Sequence, residues 1–202
     1  MRVSDQETDR DEPLLSRMEV AAALAFALAI TIALLALLSP LAAVSTGVLA
    51  ALMALITLTD VRHFIIPNEF SFPAIPLGIL ANVAVFHASD WSAGVMESVL
   101  GVALAAGSFY LLRAVWFRWR GIEGLGMGDV KLAGVAGAWL GPDLLAPACL
   151  AAALAGLAGV VVMMLIPGRK IALADHIPFG SFIAPVILLF WTWRVFEDVP
   201  FW

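Results

Sequence analysis

Long apolar stretches separated by short polar segments predict the helices of this chain. Several stretches approach the roughly 20 apolar residues that an α-helix needs to cross a bilayer. Ser39-Pro40, the polar segment around Arg62 and the His87–Trp91 connection separate the first four of them. The predicted spans are residues 20–38, 41–59, 70–87 (which contains Pro73 and Pro76), 92–116, 144–166 and 179–196.

One further apolar piece, residues 130–140, is too short to cross a membrane alone. A helix that starts near Asp129 and ends at Gly141 would cover only about 18 Å, against about 30 Å for the hydrocarbon core of a bilayer. We expect its neighbours to shield it, or the membrane to be thinner there. The pattern therefore predicts an all-α fold, a polytopic transmembrane helix bundle of about seven spans.

Composition supports an integral membrane protein. The chain of 202 residues is 62% hydrophobic and 13% charged, whereas soluble domains carry about 25% charged residues. Residues 1–18 are polar and acidic, which predicts a disordered cytoplasmic tail before a membrane-embedded domain over 19–202. No basic patch with interleaved aromatic residues points to nucleic acid, and the one cysteine, Cys149, makes a cysteine-based zinc site very unlikely. We expect neither a metal nor another cofactor.

The basic residues predict the orientation, because cytoplasmic loops are enriched in Lys and Arg. If the N-terminus is cytoplasmic, ten of the eleven basic residues lie on or near the cytoplasmic side, and only Arg194 lies near the other. This bias predicts a multi-pass protein of the inner (cytoplasmic) membrane with an external C-terminus. We expect the tryptophans at span ends to form interfacial belts, and Asn82 and Glu97 to be paired within the bundle. The cytoplasmic group is Arg2, Arg10, Arg17, Arg62, Arg113, Arg118, Arg120, Lys131, Arg169 and Lys170, and the belt tryptophans are Trp91, Trp116, Trp119, Trp191 and Trp193.

Two aspartates are candidates for chemistry. Asp60 ends the second predicted span and Asp129 precedes the fifth, so both lie at cytoplasmic helix ends and at the same depth. An acid near lipid is costly, and the glycines before Asp129 would let another backbone approach. Two close carboxylates can share a proton and act as base and acid in aspartic proteolysis. The alternatives are a small-residue loop with a capping aspartate, relay groups of a small proton-coupled transporter, and a non-catalytic pilus or secretion assembly subunit.

Three sequence blocks resemble the type IV prepilin peptidase family of GxGD-type membrane aspartic proteases. The first block joins Asp60 and Arg62 to Ile66-Pro67-Asn68, and the third is Ile177-Pro178-Phe179-Gly180. The second runs from Gly126-Met127-Gly128-Asp129-Val130-Lys131-Leu132 to the following Gly137–Gly141 segment. The resemblance implies that Asp60 and Asp129 are catalytic. It also implies that eight further residues of these blocks bind a prepilin-like, membrane-anchored precursor with a short basic leader. These substrate-binding candidates are Gly126, Gly128, Lys131, Pro67, Asn68, Pro178, Phe179 and Gly180.

The chain departs from the larger bacterial members of that family. Those members carry a cytoplasmic insert whose paired cysteines bind zinc, and many also N-methylate the new N-terminus. Here no such cysteines occur and no loop is long enough for the insert. We therefore expect a short form that cleaves without zinc, and the resemblance leaves methyl transfer open. For Lys131, a headgroup-facing position and an orienting role in the site are both open.

Overall fold

A computed structural model of the protein describes residues 14–165 and 179–198. Within these ranges the chain forms seven α-helices and no β-strand. All except α5 are long and apolar enough to cross a membrane. The helices are α1 (Arg17–Leu35), α2 (Pro40–His63), α3 (Asn68–Phe86), α4 (Trp91–Arg120), α5 (Met127–Leu140), α6 (Leu145–Leu165) and α7 (Gly180–Asp198).

Local sequence signals explain several helix ends. Ser16 and Glu19 form a capping box at the start of α1, in which each side chain satisfies a backbone N–H of the first turn. Pro40 occupies the first turn of α2, where its missing N–H costs nothing. The other end of α2 differs from the prediction: the helix continues past Thr59 to His63 and stops where Phe64 adopts a left-handed conformation, with φ of 55°. Asp60 consequently lies in the last turn of the helix.

The short helix α5 is the centre of the bundle. Ten of its fourteen residues are buried, and α3, α4, α6 and α7 all contact it. Its approach to α4 is close at Gly101 and Gly137, since a Cβ added to either would lie 2.2 Å from the other's carbonyl oxygen. The expectation that neighbours shield this short segment is confirmed, and the protein is a polytopic helical bundle of the membrane.

An arginine–glutamate ion pair joins helices at each end of the bundle. At one end α1 begins beside the end of α2, where Arg62 pairs with Glu19 and the His63 ring contacts the Leu14 carbonyl at 2.9 Å. At the opposite end Arg194 of α7 binds Glu97 of α4 at 2.9 Å. The latter pair confirms that Glu97 is partnered within the bundle, as is Asn82, which donates to Ser98 at 2.8 Å.

The interfacial-belt prediction is wrong for Trp191. Its ring is fully buried, and its N–H donates to the Thr46 hydroxyl of α2 at 3.0 Å. It also packs edge-on against Trp139 of α5, with ring centroids 4.9 Å apart. A buried indole needs an acceptor for its N–H, and Thr46 supplies one inside the core. Trp191 therefore joins α2, α5 and α7.

Some predictions fall on residues that the structure does not describe. The tail prediction concerns mainly residues 1–13, and Pro178 also lies outside the described ranges. The cytoplasmic orientation stays a prediction as well.

Candidate active site

Asp60 and Asp129 meet at the same end of the bundle. Asp60 comes from the last turn of α2, and Asp129 comes from the first turn of α5. Both line one cavity of about 780 Å³. Asp60 is only 5% exposed, while Asp129 is partly buried. The fold thus brings the two predicted carboxylates together.

The start of α7 holds the Asp60 carboxylate. The backbone N–H of Ser181 donates to Asp60 Oδ2 over 2.6 Å, and N–H groups in the first turn of a helix have no partner within the helix. Gly180 packs directly on this carboxylate, because a Cβ added there would lie 3.0 Å from Asp60 Oδ2. Gly180 therefore allows α7 to begin against the acid.

Asp129 is held by its own helix start. Gly126 is the N-cap of α5 and offers no capping side chain, and Asp129 is the third residue after it. The Asp129 carboxylate reaches back to this N-cap, since a Cβ added to Gly126 would lie 3.4 Å from Asp129 Oδ2. A carboxylate that reaches back to the N-cap amide is the acidic half of a capping box, so the GxGD spacing sets where this acid lies.

Ile66 packs between the start of α5 and the start of α7. Its side chain is buried, and a Cβ added to Gly128 would lie 3.1 Å from Ile66 Cβ. A Cβ added to Gly180 would lie 2.8 Å from Ile66 Cδ1. The two glycines thus admit one isoleucine between α5 and α7. Sequence reasoning left Ile66 and Ser181 out of the candidate site, although Ile66 stands in the first sequence block.

The Lys131 side chain faces the cavity that holds the two aspartates. Its ammonium donates to Asn68 Oδ1 over 2.6 Å and lies 5.7 Å from the centre of the Phe72 ring. Lys131 lines the cavity, whereas Asn68, the first residue of α3, lies behind it. The pair links α3 to α5 one helical half-turn after Asp129.

The remaining candidates divide between the cavity wall and its support. Gly126, Gly128 and Phe179 line the cavity together with the aspartates. Pro67 and Gly180 do not line it; Pro67 is the buried N-cap of α3, and Gly180 supports Asp60 from α7. Other residues of the cavity wall were not predicted: Phe64, Ile65, Ile66, Glu123, Gly124, Leu125 and Met127.

Within the described ranges, no group of three or more His, Cys, Asp or Glu side chains could hold a metal ion. The cavity wall carries the carboxylates of Asp60 and Asp129, a third carboxylate on Glu123, the Lys131 ammonium and the backbone of a glycine-rich loop. Two such carboxylates can hold a water between them and exchange one proton with it.

This fold and site define a class: an integral membrane helix bundle with a carboxylate pair at one end, open to a cavity. Residues 47–162, more than half of the chain, match the profile of the type IV leader peptidase family. The chain belongs to this family.

Similar proteins include a "Prepilin leader peptidase/N-methyltransferase" of Burkholderia pseudomallei, 34% identical over 68% of this chain and 42% of its own length. A protein of that name from Neisseria gonorrhoeae is 29% identical over 67% of this chain and 46% of its own. "Leader peptidase HopD" of Escherichia coli is 31% identical over 67% of this chain and 83% of its own. The chain spans less than half the length of the first two relatives. No solved structure matches the chain.

Proposed function

We propose that this protein is an aspartic endopeptidase that removes the short leader of type IV prepilin-like precursors. The observation that carries the proposal is the convergence of Asp60 and Asp129 on one cavity in a chain of the leader peptidase family. The transporter alternative is weaker, because transporter sites lie near the midplane of the membrane, and both acids lie in the terminal turns of their helices.

In the proposed reaction, the pair starts with one proton shared between the two carboxylates. The ionised carboxylate takes a proton from a bound water, and the resulting hydroxide attacks the scissile carbonyl carbon. The protonated partner gives its proton to the carbonyl oxygen, which yields a tetrahedral gem-diol. When this intermediate collapses, the ionised carboxylate takes the proton of one gem-diol hydroxyl, the C–N bond breaks, and the protonated carboxyl gives its proton to the leaving nitrogen. The pair thus returns to its singly protonated state.

The cavity wall suggests how a peptide binds. Gly126 and Gly128 present backbone without side chains beside Asp129, so an extended peptide can approach the acids closely. Phe179 adds an apolar surface on the α7 side. We assign Lys131 to one wall, with Asn68 holding its ammonium, and Pro67 and Gly180 to the segments that support the wall. Pro178, outside the described ranges, stays a candidate for substrate binding.

We further propose that the acids face the cytoplasm from the inner membrane. Among the described residues, the exposed Arg17, Arg62, Arg118 and Arg120 belong to helix ends at the end of the bundle that holds the acids. Arg194 lies at the other end, and the inside-positive charge bias supports this orientation. The substrate leader would then stay in the cytoplasm while its apolar helix lies in the bilayer.

The proposal covers peptide cleavage and leaves methyl transfer out. The Burkholderia pseudomallei and Neisseria gonorrhoeae relatives, whose printed names include an N-methyltransferase, are more than twice as long as the region that this chain matches, whereas an Escherichia coli relative of the same name is matched over 68% of its length. The relative covered over 83% of its length has a name that states leader peptidase alone.

Purified protein in detergent or liposomes, mixed with a prepilin-like precursor, tests the proposal. We expect one cut, with a basic leader released and the apolar helix left on the other product, and mass spectrometry identifies both. A folded, purified protein that leaves every such precursor intact would contradict it. Acid-driven proton uptake into liposomes without cleavage would favour the transporter instead.

A further inference from the structure

Arg113 differs from the other cations at the end of α4. Arg118 and Arg120 are exposed, and Arg120 stacks on the exposed rings of Trp116 and Trp119. The Arg113 side chain is only 18% exposed. It turns towards the segment 121–126 that joins α4 to α5, which we call the glycine loop.

Two hydrogen bonds join Arg113 to the glycine loop. Its Nε donates to the Leu125 carbonyl over 3.2 Å, and its Nη2 donates to the Glu123 carboxylate over 2.5 Å. Both partners line the cavity that holds the two aspartates. A planar guanidinium can satisfy two acceptors at fixed relative positions, so one side chain fixes two points of the loop.

The glycine loop has few other polar restraints. Outside the helices, no backbone–backbone hydrogen bond in the described ranges involves residues 122–125. The N-cap Gly126 has no side chain with which to cap α5. Packing of Gly124 on Trp116 is the other close contact, since a Cβ added to Gly124 would lie 2.4 Å from that ring. Arg113 is therefore the main polar anchor of this loop.

The peptide group between Leu125 and Gly126 connects this anchor to the site. Its carbonyl accepts from Arg113, and the Asp129 carboxylate lies beside its glycine, since a Cβ added to Gly126 would lie 3.4 Å from Asp129 Oδ2. The plane of one rigid peptide thus determines the direction of both the carbonyl and the N–H beside the acid. A donor on the carbonyl also polarises the N–H on the other side of the same group.

We propose that Arg113 is a positioning residue that orients the Leu125–Gly126 peptide and, through it, the carboxylate of Asp129. The inference rests on the proposed peptidase function for its kinetic consequence, whereas the order of the glycine loop can be measured without any substrate. The other groups around Asp129 are Asp60 of α2, Lys131 of α5 itself and Glu123 of the loop. Among the described residues, Arg113 is the side chain that hydrogen-bonds to the Leu125–Gly126 peptide beside the acid.

The test compares the full-length variants Arg113→Gln, Arg113→Lys and Glu123→Gln, with Arg118→Gln as the control for loss of an α4 cation. We expect Arg113→Gln to lower kcat by about 10- to 100-fold with little change in KM, the effect of a displaced reacting group. The low-pH side of its kcat profile should move to higher pH, because a carboxylate that turns away from the neighbouring Gly126 amide ionises less readily. Arg113→Lys should recover part of kcat. Glu123→Gln should have a smaller effect, since it leaves the Leu125 contact in place.

Hydrogen–deuterium exchange gives the readout that is independent of activity. Amides of the glycine loop should exchange at least about tenfold faster in Arg113→Gln than in Arg118→Gln, because loop order determines local exchange. Equal exchange and equal kcat in these two variants would overturn the inference. If Arg113→Gln does not fold, Arg113→Lys decides. Wild-type kcat and wild-type exchange in this variant would overturn the inference, whereas a lower kcat together with faster exchange would support it. If the wild type cleaves nothing while the exchange difference is present, the proposed function fails and the loop anchor stands.

Discussion

The substitution Gly180→Ala tests whether the start of α7 determines the geometry of Asp60. The new Cβ would lie 2.8 Å from Ile66 Cδ1 and 3.1 Å from Asp60 Cγ. Carbon atoms pack best at about 3.5–4.0 Å, so the shortfall is about 0.7 Å on Ile66 and about 0.4 Å on Asp60. The Ile66 side chain can rotate, but the carboxylate is tied to the neighbouring Ser181 amide.

The expected consequence is a shift of α7 away from Asp60. A shift of about 0.4–0.7 Å would lengthen the 2.6 Å Ser181–Asp60 bond to about 3.0–3.3 Å and so turn a short, charge-assisted bond into an ordinary or weak one. It would cost about 1–3 kcal/mol of stability and about 10- to 100-fold in turnover. Steady-state cleavage and thermal unfolding in detergent measure the two effects.

Gly107→Ala is the matched control, because nothing lies within 4 Å of a Cβ at this helical glycine. We expect it to keep wild-type turnover and to be slightly more stable, since alanine is the better helix former. A Gly180→Ala protein with turnover within twofold of this control would refute the reasoning.

Three further predictions follow from the same geometry. Lys131→Met and Asn68→Ala should each lower kcat/KM several-fold. The double variant should be little worse than either single variant, because each substitution removes the same Lys131–Asn68 hydrogen bond; additive losses would contradict this. Activity against pH should be bell-shaped, falling at low pH where both carboxylates are protonated and at high pH where both are ionised; a profile that rises without a maximum would contradict a shared proton. In cells with Cys149→Ala, an impermeant maleimide should label Ser89→Cys from outside and Arg118→Cys only after permeabilisation; the reverse pattern would invert the topology.

The sequence predicts much of this fold because a membrane helix can be recognised from its own run of apolar residues. Each apolar run corresponds to a helix of the structure, and the short α5 was expected to need shielding. The predicted span ends at residue 59, four residues before the end of α2 at His63, and the reason is local. Asp60, Arg62 and His63 resemble loop residues, yet they complete the helix before Phe64 ends it with a left-handed conformation.

The parts of the site that sequence could not provide depend on distant partners. Ser181 donates to Asp60 across 121 positions of the chain, and nothing in either local sequence indicates this pairing. Trp191 likewise looks interfacial beside Trp193 and Arg194, but its acceptor Thr46 lies 145 positions away. The sequence predicts the two aspartates as candidates because each stands in a recognisable block. The contacts that hold them arise only from the packing of α2, α5 and α7.

Cleavage by the folded variants Asp60→Asn and Asp129→Asn tests the central proposal most directly. Asp143→Asn, which changes an exposed acid after α5, is the matched control. Asparagine is nearly the same size as aspartate and costs less to hold near lipid than an ionised acid, so we expect all three proteins to fold. Each dyad variant should lose at least about 1,000-fold in turnover, and the double variant should be hardly worse, because residues that act as a unit are strongly non-additive. If either well-folded dyad variant keeps more than about a tenth of the control's turnover, Asp60 and Asp129 do not act as one catalytic unit.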